Sequence, residues 1–195
     1  MKLLNAGCGT HYATGWVNTD VWESPTTTPD VKVTPDEPYP FEDNTFDAIF
    51  LGHVVEHLRW DSVVPFMQDM QRIAKPNAPF LLVGPDVYKT IKLWKDGTQP
   101  WWMIESVLEH ADMNFQPDRE NEWWDGAHHH WNCHEQRIES LVNGLNFQNL
   151  KNVFNDIPDD PQGKEWFEPK TDITWPVVGK FYWQLAYRFN NIPKS

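Results

Sequence analysis

The chain has 195 residues, 40% of them hydrophobic, so it can bury a sizeable core, and its length suits one domain better than two. A formal net charge of −12 with no run of Lys or Arg disfavours nonspecific binding to a phosphate backbone, so no nucleic-acid partner is expected. The longest apolar run, residues 78–84, is far short of the roughly 20 residues that a bilayer span needs.

The first residues lack the basic flank and small-residue cleavage site of a signal peptide, so a cytoplasmic protein is expected. The two cysteines, Cys8 and Cys133, are then read as thiols rather than a disulfide.

Short apolar runs at residues 2–5, 17–20, 31–33, 48–51, 80–84, 150–154 and 181–188 lie between turn signals and read as seven strands. Only about 11 residues separate the first two, and the proline- and threonine-rich ESPTTTPD joins the second to the third, so helices there are short or absent. Val63, Phe66, Met67, Met70, Ile73 and Ala74 repeat at helical spacing behind an N-cap at Asp61, which predicts a crossover helix between the fourth and fifth strands. Ile138, Leu141, Val142 and Leu145 mark a later helix, closed by Asn146 in the left-handed position usually given to Gly. The proline- and carboxylate-rich stretch 156–172 reads as an exposed loop or lid.

The opening MKLLNAGCGT runs from a strand straight into Gly7-Cys8-Gly9. At the carboxyl edge of a parallel sheet, such glycines let the backbone approach a ligand with no Cβ in the way. Asp20 ends the second strand at the same edge, where a carboxylate can accept from both hydroxyls of a ribose. A nicotinamide fingerprint wants a third glycine where Tyr12 stands and an acid about 20 residues on, whereas Asp20 lies only 11 residues past Gly9.

Together LLNAGCG, GWVNTD, PFEDNTFDAIFLGHVVEHL and KPNAPFLLVGPD, in this order and spacing, resemble class I S-adenosylmethionine-dependent methyltransferases. Within that class, HVVEHL and GPD are similar to the small type-11 methyltransferases often linked to saccharide and glycan pathways. The resemblance covers roughly residues 1–154 and weakens after about residue 95. It implies an α/β, Rossmann-like fold with a seven-stranded, mostly parallel sheet and an antiparallel last strand. It further implies that Ala6, Gly7 and Gly9 pass under the methionine part of S-adenosylmethionine and that Asp20 binds its ribose. Asp36 would lie near the adenine, and Gly52 and His53 would line the carboxylate and methyl side. Asn5 stands where many members carry an acid.

Six of the twelve tryptophans fall between Trp94 and Trp131, which makes residues 94–131 an expected substrate cap within a single domain spanning 1–195. Tryptophan faces suit a sugar ring or a cation, so a small-molecule or saccharide acceptor is expected. Methyl transfer to a hydroxyl requires a base, and His53, His128 and His129 are the candidates, with His57 one turn beyond His53. Asp86, Tyr88, Trp124 and His130 are the expected substrate contacts, and Glu56 is expected to orient a neighbour or cap a helix. His128, His129, His130, Cys133 and His134 invite a metal, but adjacent histidines in an extended segment point alternately, so none is expected. Two other readings are a catalytically silent protein that binds S-adenosylmethionine, and a nicotinamide-dependent enzyme.

Overall fold

The structure, a computed structural model, describes residues 1–34, 36–101, 104, 107, 129–159, 165–177, 181 and 184–192. Nine strands are found among them: β1 (Leu3–Ala6), β2 (Val17–Asp20), β3 (Val31–Lys32), β4 (Ala48–Gly52), β5 (Pro79–Pro85), β6 (Gln148–Asn152), β7 (Trp166–Glu168), β8 (Ile173–Trp175) and β9 (Gln184–Asn190). Three α-helices accompany them, α1 (Val63–Ile73), α2 (Val87–Lys95) and α3 (Glu135–Gly144), with a 3-10 turn at Val55–His57. Seven strands form one sheet in the order β3-β2-β1-β4-β5-β9-β6. The sheet is parallel from β3 to β5, and β9 enters antiparallel between β5 and β6. No helix among the described residues is long and apolar enough to cross a membrane.

Strands β4 and β5 are apolar at every position because both faces of the sheet are covered there. Alternation along each strand divides the core in two. Ile49, Leu51, Phe80 and Leu82 join Met67, Met70 and Ile73 of α1 and Ile138 and Val142 of α3 on one face. Ala48, Phe50, Leu81 and Val83 join Ala13, Trp16, Trp166 and Trp175 on the other. The second face is thus closed by the β1–β2 connection and the β7–β8 hairpin, where the Trp16 and Trp175 rings meet at 5.7 Å.

That hairpin corrects the loop reading of 156–172, because Trp166–Glu168 pairs antiparallel with Ile173–Trp175. Its anchor is Glu168 Oε2, which accepts from Trp175 Nε1 at 3.0 Å, Thr171 Oγ1 at 2.8 Å and Arg188 Nε of β9 at 3.1 Å. The first helix is as expected but is preceded by Ser62, whose side chain makes no capping bond, rather than capped by Asp61. Asn146 does take the left-handed conformation, at φ 59°. The sixth strand lies slightly earlier than its apolar residues suggest. It forms the polar sheet edge Gln148–Asn152, where a register shift blunts an otherwise open row of backbone groups.

Burial pushes the Glu168 carboxyl up, but the bonds from Trp175 and Thr171 and the charge of Arg188 outweigh it and hold it below the usual range. A carboxyl with a lowered folded-state pKa stabilises fully above its unfolded value of about 4.3, and that stability is lost as pH falls through the folded value. Glu168→Ala, which strands a buried guanidinium, should lower unfolding free energy by about 3 kcal/mol at pH 7. Urea titrations at pH 7 and pH 3 should show the gap between wild type and variant narrowing at the lower pH.

Candidate active site

The carboxyl ends of β1, β2 and β4 lie side by side, and each delivers part of one cleft edge. After Ala6 the chain turns through Gly7 at φ 68° and Gly9 at φ 51°, conformations in which a side chain is strained. At Gly7 a Cβ would also come 2.5 Å from Val54 Cγ2. The turn is sewn to β2 by Cys8 N, which donates to Thr19 O at 2.9 Å, and by Gly9 N, which donates to Asp20 Oδ2 at 2.7 Å. Trp22 N donates to Asp20 Oδ1 at 3.0 Å, so the carboxylate is fixed at the strand end by backbone on both oxygens. Each oxygen retains a lone pair, as a ribose diol would require. Burial and the Asp20 charge push the Cys8 thiol up to about 11, so it is a thiol at neutral pH.

The rest of the β1–β2 connection contains no helix and is held by a buried amide. Asn18 Oδ1 accepts from Asn5 Nδ2 at 2.9 Å and from Ala13 N at 2.8 Å. Asn18 Nδ2 donates to Ala13 O and Trp16 O, both at 3.0 Å, and to Asp30 Oδ2 at 3.1 Å. Asn5 Nδ2 also donates to His11 O at 3.0 Å. Asn5 therefore does structural work here, bracing the glycine turn from beneath.

The end of β4 carries the second half of the site. Gly52 packs so closely that a Cβ would sit 2.4 Å from the Phe50 ring. His53 follows with φ 56°, an uncommon conformation for a histidine, and its N donates to Val83 O at 2.8 Å. Its ring is gripped at both nitrogens, Nδ1 lying 2.9 Å from Glu56 Oε1 and Nε2 lying 2.7 Å from Gln184 Nε2. Gln184 Oε1 accepts from Phe181 N at 3.0 Å, which turns its amide nitrogen toward His53 as a donor. That network assigns the Nδ1–H tautomer, with Nε2 as the basic atom. Glu56 is fully buried; burial pushes its carboxyl up, but the His53 bond and the charges of His53, His57 and His129 overcome this and hold it low.

The segment returning to α3 docks on this turn, with His130 N and Trp131 N donating to Glu56 O at 2.8 and 3.1 Å. His129 is thereby set edge-on to His57, ring centroids 4.8 Å apart, while its Nδ1 meets Val107 O at 2.6 Å. His130 is exposed. At the end of β5, Asp86 is buried and caps α2, accepting from Tyr88 N at 3.0 Å and Lys89 N at 3.1 Å. Tyr88 is exposed, with its ring 4.7 Å from that of His134. Asp36 is in the left-handed region, its carboxylate 4.0 Å from the Arg59 guanidinium. Of the tryptophans, Trp94 and Trp101 are exposed and 5.2 Å apart, whereas Trp131 is buried with Arg137 stacked over it at 5.1 Å. His128 and Trp124 lie outside the described residues.

The structure thus brings Ala6, Gly7, Gly9, Asp20, Gly52 and His53 to one edge. Sequence reasoning missed Gln184, whose link to His53 depends on the pairing of β9 with β5, where Gln184 stands opposite Pro85. No local pattern around Gln184 signals that pairing.

Residues 4–82 match the model of a family described as a methyltransferase domain. No curated protein matches the sequence. Among solved structures, a SAM-dependent methyltransferase from Archaeoglobus fulgidus aligns with a TM-score of 0.56 at 14% identity, over 97% of this chain and 85% of its own. One from Aquifex aeolicus aligns at 0.51 and 13% identity, over 98% and 82%. The 1,6-didemethyltoxoflavin-N1-methyltransferase of Burkholderia thailandensis, solved with its substrate and S-adenosylhomocysteine, aligns at 0.52 and 13% identity, over 97% and 70%. A methyltransferase-domain match over residues 4–82 and the fold shared with these structures thus give the chain the class I, S-adenosylmethionine-dependent methyltransferase fold.

Proposed function

We propose that the chain transfers a methyl group from S-adenosylmethionine to a small acceptor, a hydroxyl of a sugar or glycan precursor. The observation that carries this reading is the His53 ring beside the glycine cradle, held by Glu56 at one nitrogen and by Gln184 at the other. The cradle fits the cofactor: the space at Gly7 admits no Cβ, and the neighbouring strand ends in a carboxylate fixed by backbone amides.

In this reading Ala6, Gly7 and Gly9 give backbone approach to the methionine part, Asp20 accepts from the ribose, and Asp36 lies toward the adenine. Gly52 and His53 line the methyl side. S-adenosylmethionine, when bound, supplies a methyl on a sulfonium whose positive charge already activates the leaving group. The chain's work is therefore alignment and proton removal. An acceptor hydroxyl would take the place of the Gln184 amide at His53 Nε2 and give up its proton there. Glu56, a positioning residue, holds the tautomer and stabilises the resulting imidazolium, as a buried carboxylate does for a catalytic histidine.

The tryptophan-rich stretch 94–131 is read as the cap over the acceptor, within one domain. Trp124, His128, His129 and His130 would come from it, with Asp86 and Tyr88 from the end of β5. The exposed Trp94–Trp101 pair supports a face for a sugar ring. The Burkholderia protein is an N1-methyltransferase, so nitrogen is the acceptor to test against oxygen.

Methyl-labelled S-adenosylmethionine offered with a panel of free and nucleotide-linked saccharides and a panel of amines should put label on a sugar oxygen. Label on nitrogen alone would overturn the hydroxyl reading, and no turnover with any acceptor despite cofactor binding would favour the silent binding protein. His53→Gln should lower kcat at least about 100-fold. Gly7→Ala, strained at φ 68° and pressed on Val54, should weaken S-adenosylhomocysteine binding at least about tenfold by calorimetry.

A further inference from the structure

We infer that Glu56, His57 and His129 form a binding site for a divalent first-row transition ion, Zn2+ or Mn2+. One ligand atom from each of the three lies within 4.8 Å of the others. Donors roughly 2.0–2.2 Å from a tetrahedral Zn2+ lie about 3.3–3.6 Å from one another, so side-chain rotations that draw the three together by up to about an ångström would close the set on an ion. The three come from two distant segments, joined where His130 N and Trp131 N donate to the carbonyl of Glu56. The juxtaposition is therefore built by the fold and fixed by backbone.

The carboxylate carries the argument. Glu56 is fully buried, and only one of its oxygens is engaged: Oε1 meets His53, while Oε2 is buried with no hydrogen-bond partner among the described residues. Gly84 lies beside it, where a Cβ would stand in ordinary contact, 3.6 Å from Oε2. A buried carboxylate oxygen left without a donor is strongly unfavourable unless a positive charge faces it. An ion held between the carboxylate and the two imidazoles, which are neutral when they ligate, would supply that charge in place of theirs.

The histidine geometry agrees. His129 Nδ1 lies 2.6 Å from Val107 O, a contact that requires the proton on Nδ1 and puts the ring's lone pair on Nε2. A metal-bound histidine commonly donates its second nitrogen to a carbonyl in this way. One carboxylate oxygen and two imidazole nitrogens suit Zn2+ or Mn2+ better than Mg2+ or Ca2+, which favour all-oxygen shells. Three protein donors also leave coordination positions for water or an oxygen ligand, as in exchangeable rather than closed sites.

The site stands independently of the acceptor reading, because its occupancy can be read without cofactor or acceptor. Chelator-treated, full-length protein titrated with ZnCl2 or MnCl2 in a calorimeter should bind one equivalent, and MgCl2 should not compete. Glu56→Gln and His129→Asn should each weaken binding at least tenfold, while His11→Asn, in the β1–β2 connection, should leave it unchanged. Circular dichroism confirms folding, and His129→Asn, altering only a half-buried residue, keeps the test open if Glu56→Gln fails to fold. Binding of neither ion to the wild type, or equal binding in all variants, would overturn the assignment.

Discussion

The glycine-turn edge of the sheet depends on one buried amide. Asn18, on β2, reaches across to Asn5 on β1, back to Ala13 and Trp16 in the connection, and outward to Asp30 ahead of β3. A parallel crossover is commonly made by a helix that satisfies its own backbone. Residues 7–16 contain no helix, so their polar groups must be met from elsewhere. Each buried donor or acceptor left unmet costs about 1–3 kcal/mol, so the four-way contact at Asn18 is what makes this short connection tenable. The same contact sets where the chain enters β2, and with it the position of the Asp20 carboxylate that receives Gly9 N.

A thin connection leaves the sheet face beside it poorly covered, and the carboxyl-terminal part of the chain compensates. Trp16 and Trp175 meet there, and Glu168 clamps the β7–β8 hairpin to Arg188 of β9. Because β9 lies next to β5, the strand that secures the hairpin also presents Gln184 to His53. The stability of one face and the setting of the His53 ring are thereby coupled through a single strand. On the opposite side of His53, Glu56 fixes the ring with one oxygen and lies beside His57 and His129.

How much of this the sequence discloses follows from the range of each interaction. Val17–Asp20 is visible because its apolar run ends in turn signals, and α1 because its buried positions recur every three or four residues. Asn146 is legible because few side chains tolerate the left-handed conformation after a helix. The glycine turn and Asp20 are legible for the same local reason, since conformation and position alone restrict them. By contrast, β7 and β8 are three residues each, too short for a periodic signal, and their register is set by a charge on β9. The meeting of His57 with His129 is likewise invisible along the chain, because the docking of the return segment on Glu56 creates it. Alternation of neighbouring histidines argues only about one segment and is silent about a ligand set drawn from two.

The central claim is that the glycine turn and Asp20 form a cofactor cradle, and calorimetric titration of S-adenosylhomocysteine into wild type and Asp20→Ala tests it most directly. Loss of a buried charge-assisted contact should cost about 1.5–3 kcal/mol, so micromolar binding by the wild type should weaken at least tenfold in the variant. No detectable binding to folded wild-type protein would mean that these glycines make only a turn, and would contradict the account.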